Sequence, residues 1–396
     1  EDEDEDDVCE WAFACDLDAP APWTKALAFV LRELWHPTRR SSGVENEKVC
    51  GSRKQATRHR LRVIFHTSAL MSLSDQLRVI TAMYRQVGSG DPRGDVVPQF
   101  GVGSPHGWDQ AFAMGSHVPE GWEGSIQWHR ITWTNTGHAG GIELRVAWNE
   151  GKPMRALPLD RDVFTTGVDG WSENVLEGER ICSDAKDGKD DASQQQQQQQ
   201  HEQQPLQMFD NVCVGGTFDR LHAGHRLLLA ATVLVCSKTI YLGITGDALL
   251  AKKRRREMVE DIRVRTRQAV AFIDQVARGK GLQIGVGVLD DVSRSPMPES
   301  FSLQVLHGSL SPEEHPLAVT DENIQAIVVS RETVAGADWI NQERAKKSFR
   351  ALEIVVVDLV GAEPHAGSES NKLSSTELRE VEAREQQQQR NKARKT

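Results

Sequence analysis

From Met208 onward the apolar positions fall into short runs separated by longer stretches of helical spacing. The runs Asn211 to Val214, Thr239 to Thr245, Leu282 to Val288, Ile324 to Ser330 and Leu352 to Leu359 are mostly rich in Val and Ile and alternate little, as strands covered on both faces do. GHRLLLAATVLVCS lies between the first two and MVEDIRVRTRQAVAFIDQVARG between the next two, both of helical length. Strand, helix and strand in series predict an α/β fold built on a doubly wound parallel sheet. In such a sheet, ligands sit beyond the carboxyl ends of the strands, at the point where the strand order reverses.

The region before the last 190 or so residues carries a different pattern. SLSDQLRVITAMYRQVG predicts a capped amphipathic helix, with Ser72 at the N-cap, Asp75 three residues on, and Leu77, Ile80, Met83, Tyr84 and Val87 on one face before Gly88. SIQWHRITWTNTGHAGGIELRVAW predicts a hairpin, in which Ile142, Leu144, Val146 and Trp148 alternate after a turn holding Gly137, Gly140 and Gly141. Nine of the ten tryptophans lie here, among them Trp108, Trp122, Trp128, Trp133, Trp148 and Trp171. Such rings can stack on a sugar or a base, but core packing is the plainer reading. No catalytic constellation is visible, and the fold of this region stays open.

DAKDGKDDASQQQQQQQHEQQPLQ, residues 184–207, has too little apolar surface to order itself and reads as a linker; self-association of the glutamine tract is the alternative. EQQQQRNKARKT reads as a frayed basic tail and EDEDEDD as a solvated acidic one. The chain thus divides into a Trp-rich region 1–183, a disordered linker 184–207, an α/β domain 208–384 and a disordered tail 385–396. The α/β domain is expected to work without the region before the linker.

Charge and cysteines narrow the chemistry. A net charge of −10 argues against bulk nucleic-acid binding and leaves small anionic substrates open. Cys9, Cys15, Cys50, Cys182, Cys213 and Cys236 form no CxxC pair and no zinc spacing, so a reducing compartment and no structural metal are expected. No apolar run approaches the roughly 18 residues that cross a bilayer. A cytoplasmic protein without a membrane partner is the expectation, although a chain opening on Glu1 leaves its natural start open.

The densest chemistry is in VCVGGTFDRLHAGHRLLLAATVLV. Gly215 and Gly216 follow a strand, where the missing Cβ lets the backbone turn and a ligand approach. His222 and His225 are three apart, so they share one face at the first turn of the next helix, beside free N–H groups and the positive end of its dipole. A phosphate suits that place. Thr217 adds a hydroxyl, and Asp219 either caps the helix or orients the loop. The alternative is that both histidines only cap and pack.

GGTFDRLHAGH resembles the T-x-F-D-x-x-H-x-G-H signature of the HxGH nucleotidyltransferase superfamily, which has a Rossmann-like sheet and whose histidines serve nucleoside triphosphate phosphates. The cytidylyltransferases for phosphocholine and glycerol phosphate share this motif, so it indicates the reaction and not the acceptor. KLSSTELR resembles the ISSTxxR motif of the adenylyltransferases, and no Arg-Thr-x-Gly-Ile-Ser-Thr form of the cytidylyltransferases is present, which favours ATP over CTP. VVSRETVAGADWINQER and RVRTRQAVAFI resemble segments of eukaryotic and archaeal phosphopantetheine adenylyltransferase, and the likeness runs from about Val212 to Arg379. The resemblance implies adenylyl transfer from ATP, with Mg²⁺, to 4′-phosphopantetheine. It implies that His222, His225 and Lys252 are catalytic, that Thr217, Lys253 and Arg265 bind substrate, with Arg267 the near alternative to Arg265, and that Gly215, Gly216, Ser374, Ser375, Thr376 and Arg379 bind ATP. No protein metal ligands are implied.

Two departures stand out. Where the family carries an Asp-Pro-x-Gly-Pro turn, this chain has VLHGSLSPEEHPLAVTDENIQ. No Gly-Lys is followed by Ser or Thr, so the kinase to which the domain is often fused in animals is not expected here. KKRRRE can be read as a nucleic-acid or nuclear-targeting patch, but Glu257, Glu260 and Asp261 follow closely and its lysines already have a phosphate role. The rival of a different class is a catalytically inactive module that keeps the fold, and the intact histidines and Ser-Ser-Thr stretch argue against it.

Overall fold

The computed structural model describes residues 8–17, 23–35, 58–66, 71–89, 94–100, 110–114, 117–119, 127–135, 142–147, 155–157, 206–251, 253–288, 301–308, 315–358, 360 and 374–393. Several expectations lie outside them: both terminal tips, the linker before residue 206, the hairpin turn, Lys252, and Trp108, Trp122, Trp148 and Trp171.

The Trp-rich region is itself an open α/β sheet. Strands β1 (Val8–Asp16), β2 (Arg58–His66), β3 (Asp95–Phe100), β4 (Gln110–Met114), β6 (Gln127–Asn135) and β7 (Ile142–Ala147) lie in the order β3-β2-β1-β4-β6-β7. Every pairing is parallel except β6 with β7, the hairpin expected from the alternation. The short β5 (His117–Pro119) and β8 (Arg155–Leu157) form a separate parallel pair. Helices α1 (Trp23–Trp35) and α2 (Leu73–Ser89) connect the first strands. Ser72 caps α2 as its sequence requires, its Oγ accepting the Asp75 N–H at 3.1 Å. Trp11 and Trp23 are core residues, Trp11 stacked on Phe112 at 5.4 Å.

The second sheet is wholly parallel, in the order β11-β12-β10-β9-β13-β14. Its strands are β9 (Phe209–Gly216), β10 (Cys236–Thr245), β11 (Gly285–Val288), β12 (Ser302–Gly308), β13 (Ala326–Ser330) and β14 (Glu353–Val357). Its helices are α3 (Ala223–Val235), α4 (Asp247–Leu250), α5 (Ile262–Gly279), α6 (Leu317–Thr320), α7 (Val334–Lys346) and α8 (Ser375–Ala393). The doubly wound expectation holds, and β9 flanked by β10 and β13 puts the order reversal at the carboxyl end of the Gly-Gly-Thr strand.

Three expectations change. Strand β12 was hidden because Ser302 and Gln304 sit buried inside the sheet, Ser302 Oγ donating to Thr239 Oγ1 at 3.2 Å, so the segment reads as polar. Residues 385–393, expected as a disordered tail, continue α8 to Ala393, since Glu, Gln, Arg, Lys and Ala are all good helix formers. Most importantly, the two units pack against each other. Helix α3 is apolar all round and eleven of its thirteen residues are buried, because the second sheet covers one side and α2 the other. One apolar cluster runs through Val79 and Met83 of α2, Leu227 and Leu234 of α3, and Phe272 and Val276 of α5. Gly279 lets β3 approach α5, with a Cβ there only 3.4 Å from Pro98 O.

Candidate active site

The loop after β9 is shaped by close contacts. A Cβ on Gly216 would stand 3.0 Å from the buried Phe218 ring, so only glycine fits beneath it. Phe218 and Arg220 both take positive φ, near 50°, an uncommon conformation for residues with side chains. Burial holds the first. The second is held by hydrogen bonds, its N–H donating to Glu260 Oε2 at 2.6 Å and its guanidinium reaching Asp219 at 2.9 Å and Glu382 at 2.7 Å.

The chain enters α3 at His222, which is the N-cap: its Nδ1 accepts the Gly224 N–H at 3.2 Å. His225 lies on the first turn with its ring stacked on that of His222, centroids 3.9 Å apart. A Cβ on Gly224 would meet His222 at 3.2 Å, so the glycine of HAGH permits the stack. His225 Nδ1 is enclosed and has no hydrogen-bond partner among the described residues. Burial, then His222, Lys253 and Arg226, hold its pKa well below that of an ordinary histidine. A neutral imidazole with Nδ1 sealed off keeps its other nitrogen as the donor or acceptor for a ligand.

Lys253 donates from Nζ to Thr217 Oγ1 at 2.6 Å. Burial and the neighbouring Arg379 and Arg265 lower its pKa, against the pull of Asp219. Arg265, expected as a substrate ligand, is fully buried and serves the frame: it donates to the carbonyls of Thr217 at 2.8 Å, Thr245 at 3.0 Å and Glu260 at 2.8 Å. It binds the ends of β9 and β10 to the start of α5, because a buried guanidinium is stable only where several acceptors meet it. Arg267 is exposed on the same helix.

Asp219 proves to be the hub. Fully buried, it accepts from Arg379, from Arg220 and from the Glu260 N–H at 3.0 Å, while its carbonyl accepts Ser375 Oγ at 3.0 Å. Of its two expected roles it takes the second, orienting the loop. Ser374 Oγ accepts the Glu377 N–H at 3.2 Å and so caps α8, Thr376 Oγ1 accepts from Arg379 at 3.0 Å, and Ser375 and Arg379 dock the helix onto the motif loop through Asp219. This brings a second helix N-terminus beside that of α3. The sequence named Ser374, Ser375, Thr376 and Arg379 but not Arg220, Glu260 and Glu382, which fix the loop around Asp219; their one signal was the surplus of opposite charges nearby.

Two helix N-termini, two stacked imidazoles and a lysine thus converge past the carboxyl end of β9, an arrangement that can receive a polyphosphate. The profile of a family described as cytidylyltransferase-like matches residues 213–381. Phosphopantetheine adenylyltransferase of Methanothermobacter thermautotrophicus is 34% identical over 171 residues, covering 43% of this chain and 84% of that protein. That of Methanopyrus kandleri is 30% identical over 175 residues, covering 44% and 92%. The chain belongs to the phosphopantetheine adenylyltransferase family. The Saccharomyces cerevisiae member is 33% identical over 175 residues, or 44% of this chain, which spans about half of that longer protein, 48%.

Proposed function

We propose that this chain transfers the adenylyl group of ATP to 4′-phosphopantetheine, giving dephospho-coenzyme A and pyrophosphate. The observation that carries the reading is the His222–His225 stack on the first turn of α3, beside Lys253 and the N-terminus of α8, in a chain of this family. A 4′-phosphate is largely dianionic at neutral pH, so its oxygen attacks the α-phosphorus without a general base. The bond from the α-phosphorus to the bridging oxygen breaks, and pyrophosphate leaves with the electron pair.

The protein's task is to hold two anions in line and to neutralise the charge that moves onto the leaving phosphates. His222, His225 and Lys253 supply donors on one side, and the N–H groups opening α8 on the other; Lys252 keeps the phosphate role that the resemblance implies for it. Thr217, fixed by Lys253 and Arg265, seats the attacking phosphate. Mg²⁺ would accompany ATP as part of the substrate, and since Asp219, the carboxylate within the motif, is already engaged by Arg379 and Arg220, the ion would be held chiefly by the phosphates.

Pyrophosphate release tests the reading. ATP with 4′-phosphopantetheine should turn over and CTP with phosphocholine should not. A higher kcat/KM for the CTP pair overturns it in favour of a cytidylyltransferase.

A further inference from the structure

Arg226 directly follows the HAGH motif and reaches both neighbours of His222's peptide units. Its backbone N–H closes the first helical bond to His222 O at 3.0 Å, and its side-chain Nε donates to Leu221 O at 3.2 Å. The residue is 8% exposed and its guanidinium lies 5.0 Å over the Phe272 ring. None of these contacts supplies a negative charge. That comes from the other unit: Arg226 Nη1 pairs with Asp95 Oδ1 at 2.6 Å, across 131 residues of chain. Asp95 opens β3, and its second oxygen takes Arg60 Nε at 2.7 Å, while Arg60 Nη1 takes Glu10 Oε1 at 2.6 Å. Two carboxylates and two guanidiniums therefore alternate along the boundary, ending on the residue beside the motif.

We propose that Asp95 is a positioning residue for the active site on the opposite unit. It anchors the Arg226 guanidinium, which holds the Leu221 carbonyl and so sets the backbone from which His222 projects onto His225. A guanidinium buried this deeply and left without its carboxylate draws in water or swings away, releasing Leu221. Burial alone would raise the pKa of Asp95, but Arg226 and Arg60 together hold it below the usual carboxylate value, so the anchor stays charged at neutral pH. The inference rests on His222 and His225 acting on phosphate. It gives the first sheet, whose described residues hold no catalytic constellation, a part in the reaction.

The test uses the full chain with Asp95→Asn, Arg226→Lys and the pair together. Three quantities are read on each: kcat and KM for ATP, the ATP dissociation constant, and the imidazole resonances of His222 and His225 in the free protein. Asp95→Asn should lower kcat roughly 10-fold or more, as small misplacements of reacting groups do, with KM for ATP moved far less. Arg226→Lys keeps the charge, and the fold with it, but lacks the fork that reaches Asp95 and Leu221 at once, so it should fall as far. The double variant should be no worse than Arg226→Lys alone. Additive losses, a normal kcat in Arg226→Lys, or unmoved resonances in Asp95→Asn overturn the proposal. If the wild type transfers no adenylyl group to any phosphorylated acceptor while Asp95→Asn still shifts both resonances, the functional reading fails and the positioning role stands.

Discussion

In each unit the first strand lies inside its sheet with later strands laid down on both sides, β1 between β2 and β4, β9 between β10 and β13. The buried charges are distributed in opposite ways. In the second unit Asp219, Arg265 and Arg379 are fully or almost fully buried around the motif loop. In the first, the fully described buried polar side chains are Gln76, Gln99 and His129, and the partly buried Glu10, Arg60 and Asp95 gather where it meets the second unit. The same plan therefore supports a site in one unit and a brace in the other, as expected where function resides in grafted side chains and not in topology. The archaeal relatives are matched over 84% and 92% of their length by 171 and 175 residues, which leaves little room for a second unit of this size.

The comparison breaks most sharply if the units can be parted. Removal of residues 1–205 should abolish cooperative folding, since it exposes apolar side chains of α3 and α5 worth about 1.5 to 3 kcal/mol each. A soluble fragment with a cooperative melt and a kcat within a few-fold of the full chain would return the first unit to a passenger. Next in size is the hub: Arg379→Met leaves Asp219 with only Arg220 as a charged partner and should cost about 3 to 5 kcal/mol in a denaturant melt, the range for breaking a buried pair. A loss below about 1 kcal/mol would show that Arg220 suffices.

Histidines separate the units more finely. His225→Ala should lower kcat about 10² to 10³-fold, roughly 2.7 to 4 kcal/mol, with a smaller change in KM for ATP. His129→Ala, in the first sheet against Trp11 and Phe112, should cost about 1 to 3 kcal/mol of stability and leave kcat per folded molecule intact. If both variants lose only stability, His225 caps and packs and the catalytic assignment is wrong.

The smallest effect is on pH. The folded pKa of His225 lies below its ordinary 6.5, so at mildly acid pH the unfolded chain binds the extra proton. Its contribution to stability is full above about pH 6.5 and is lost as pH falls toward the folded pKa. Between pH 7.5 and 5.5 the wild type should therefore lose more Tm than His225→Gln. Equal losses would mean that His225 titrates as in the open chain.

Much of the second sheet was legible because β9, β10 and β13 are apolar runs that the sheet largely buries, whereas the equally apolar β14 lies at the edge and leaves Val356 exposed. The first sheet was not. Its β2 alternates Arg60 and Arg62 with Leu61 and Val63, and the pattern of a solvent-facing strand concealed charges that meet the other unit, Arg62 donating to Gln275 O at 3.1 Å. Within the site, the place of His222 and His225 on the first turn of α3 followed from their spacing, whereas the carbonyl partners of Arg265 did not, since a guanidinium in a sequence suggests an anion.

By itself the sequence determined where the histidine pair sits. Two histidines three residues apart, a glycine between them and a Gly-Gly-Thr turn before them specify a helix N-terminus with stacked rings through local backbone geometry, which about ten residues suffice to set. Only the tertiary structure decided what holds that geometry in place. Arg379 meets Asp219 across 160 residues and Asp95 meets Arg226 across 131, and no local pattern encodes such pairs. A charge reads the same in a sequence whether it faces water or a partner, and burial, which gives the pairing its strength, exists only once both sheets have folded together.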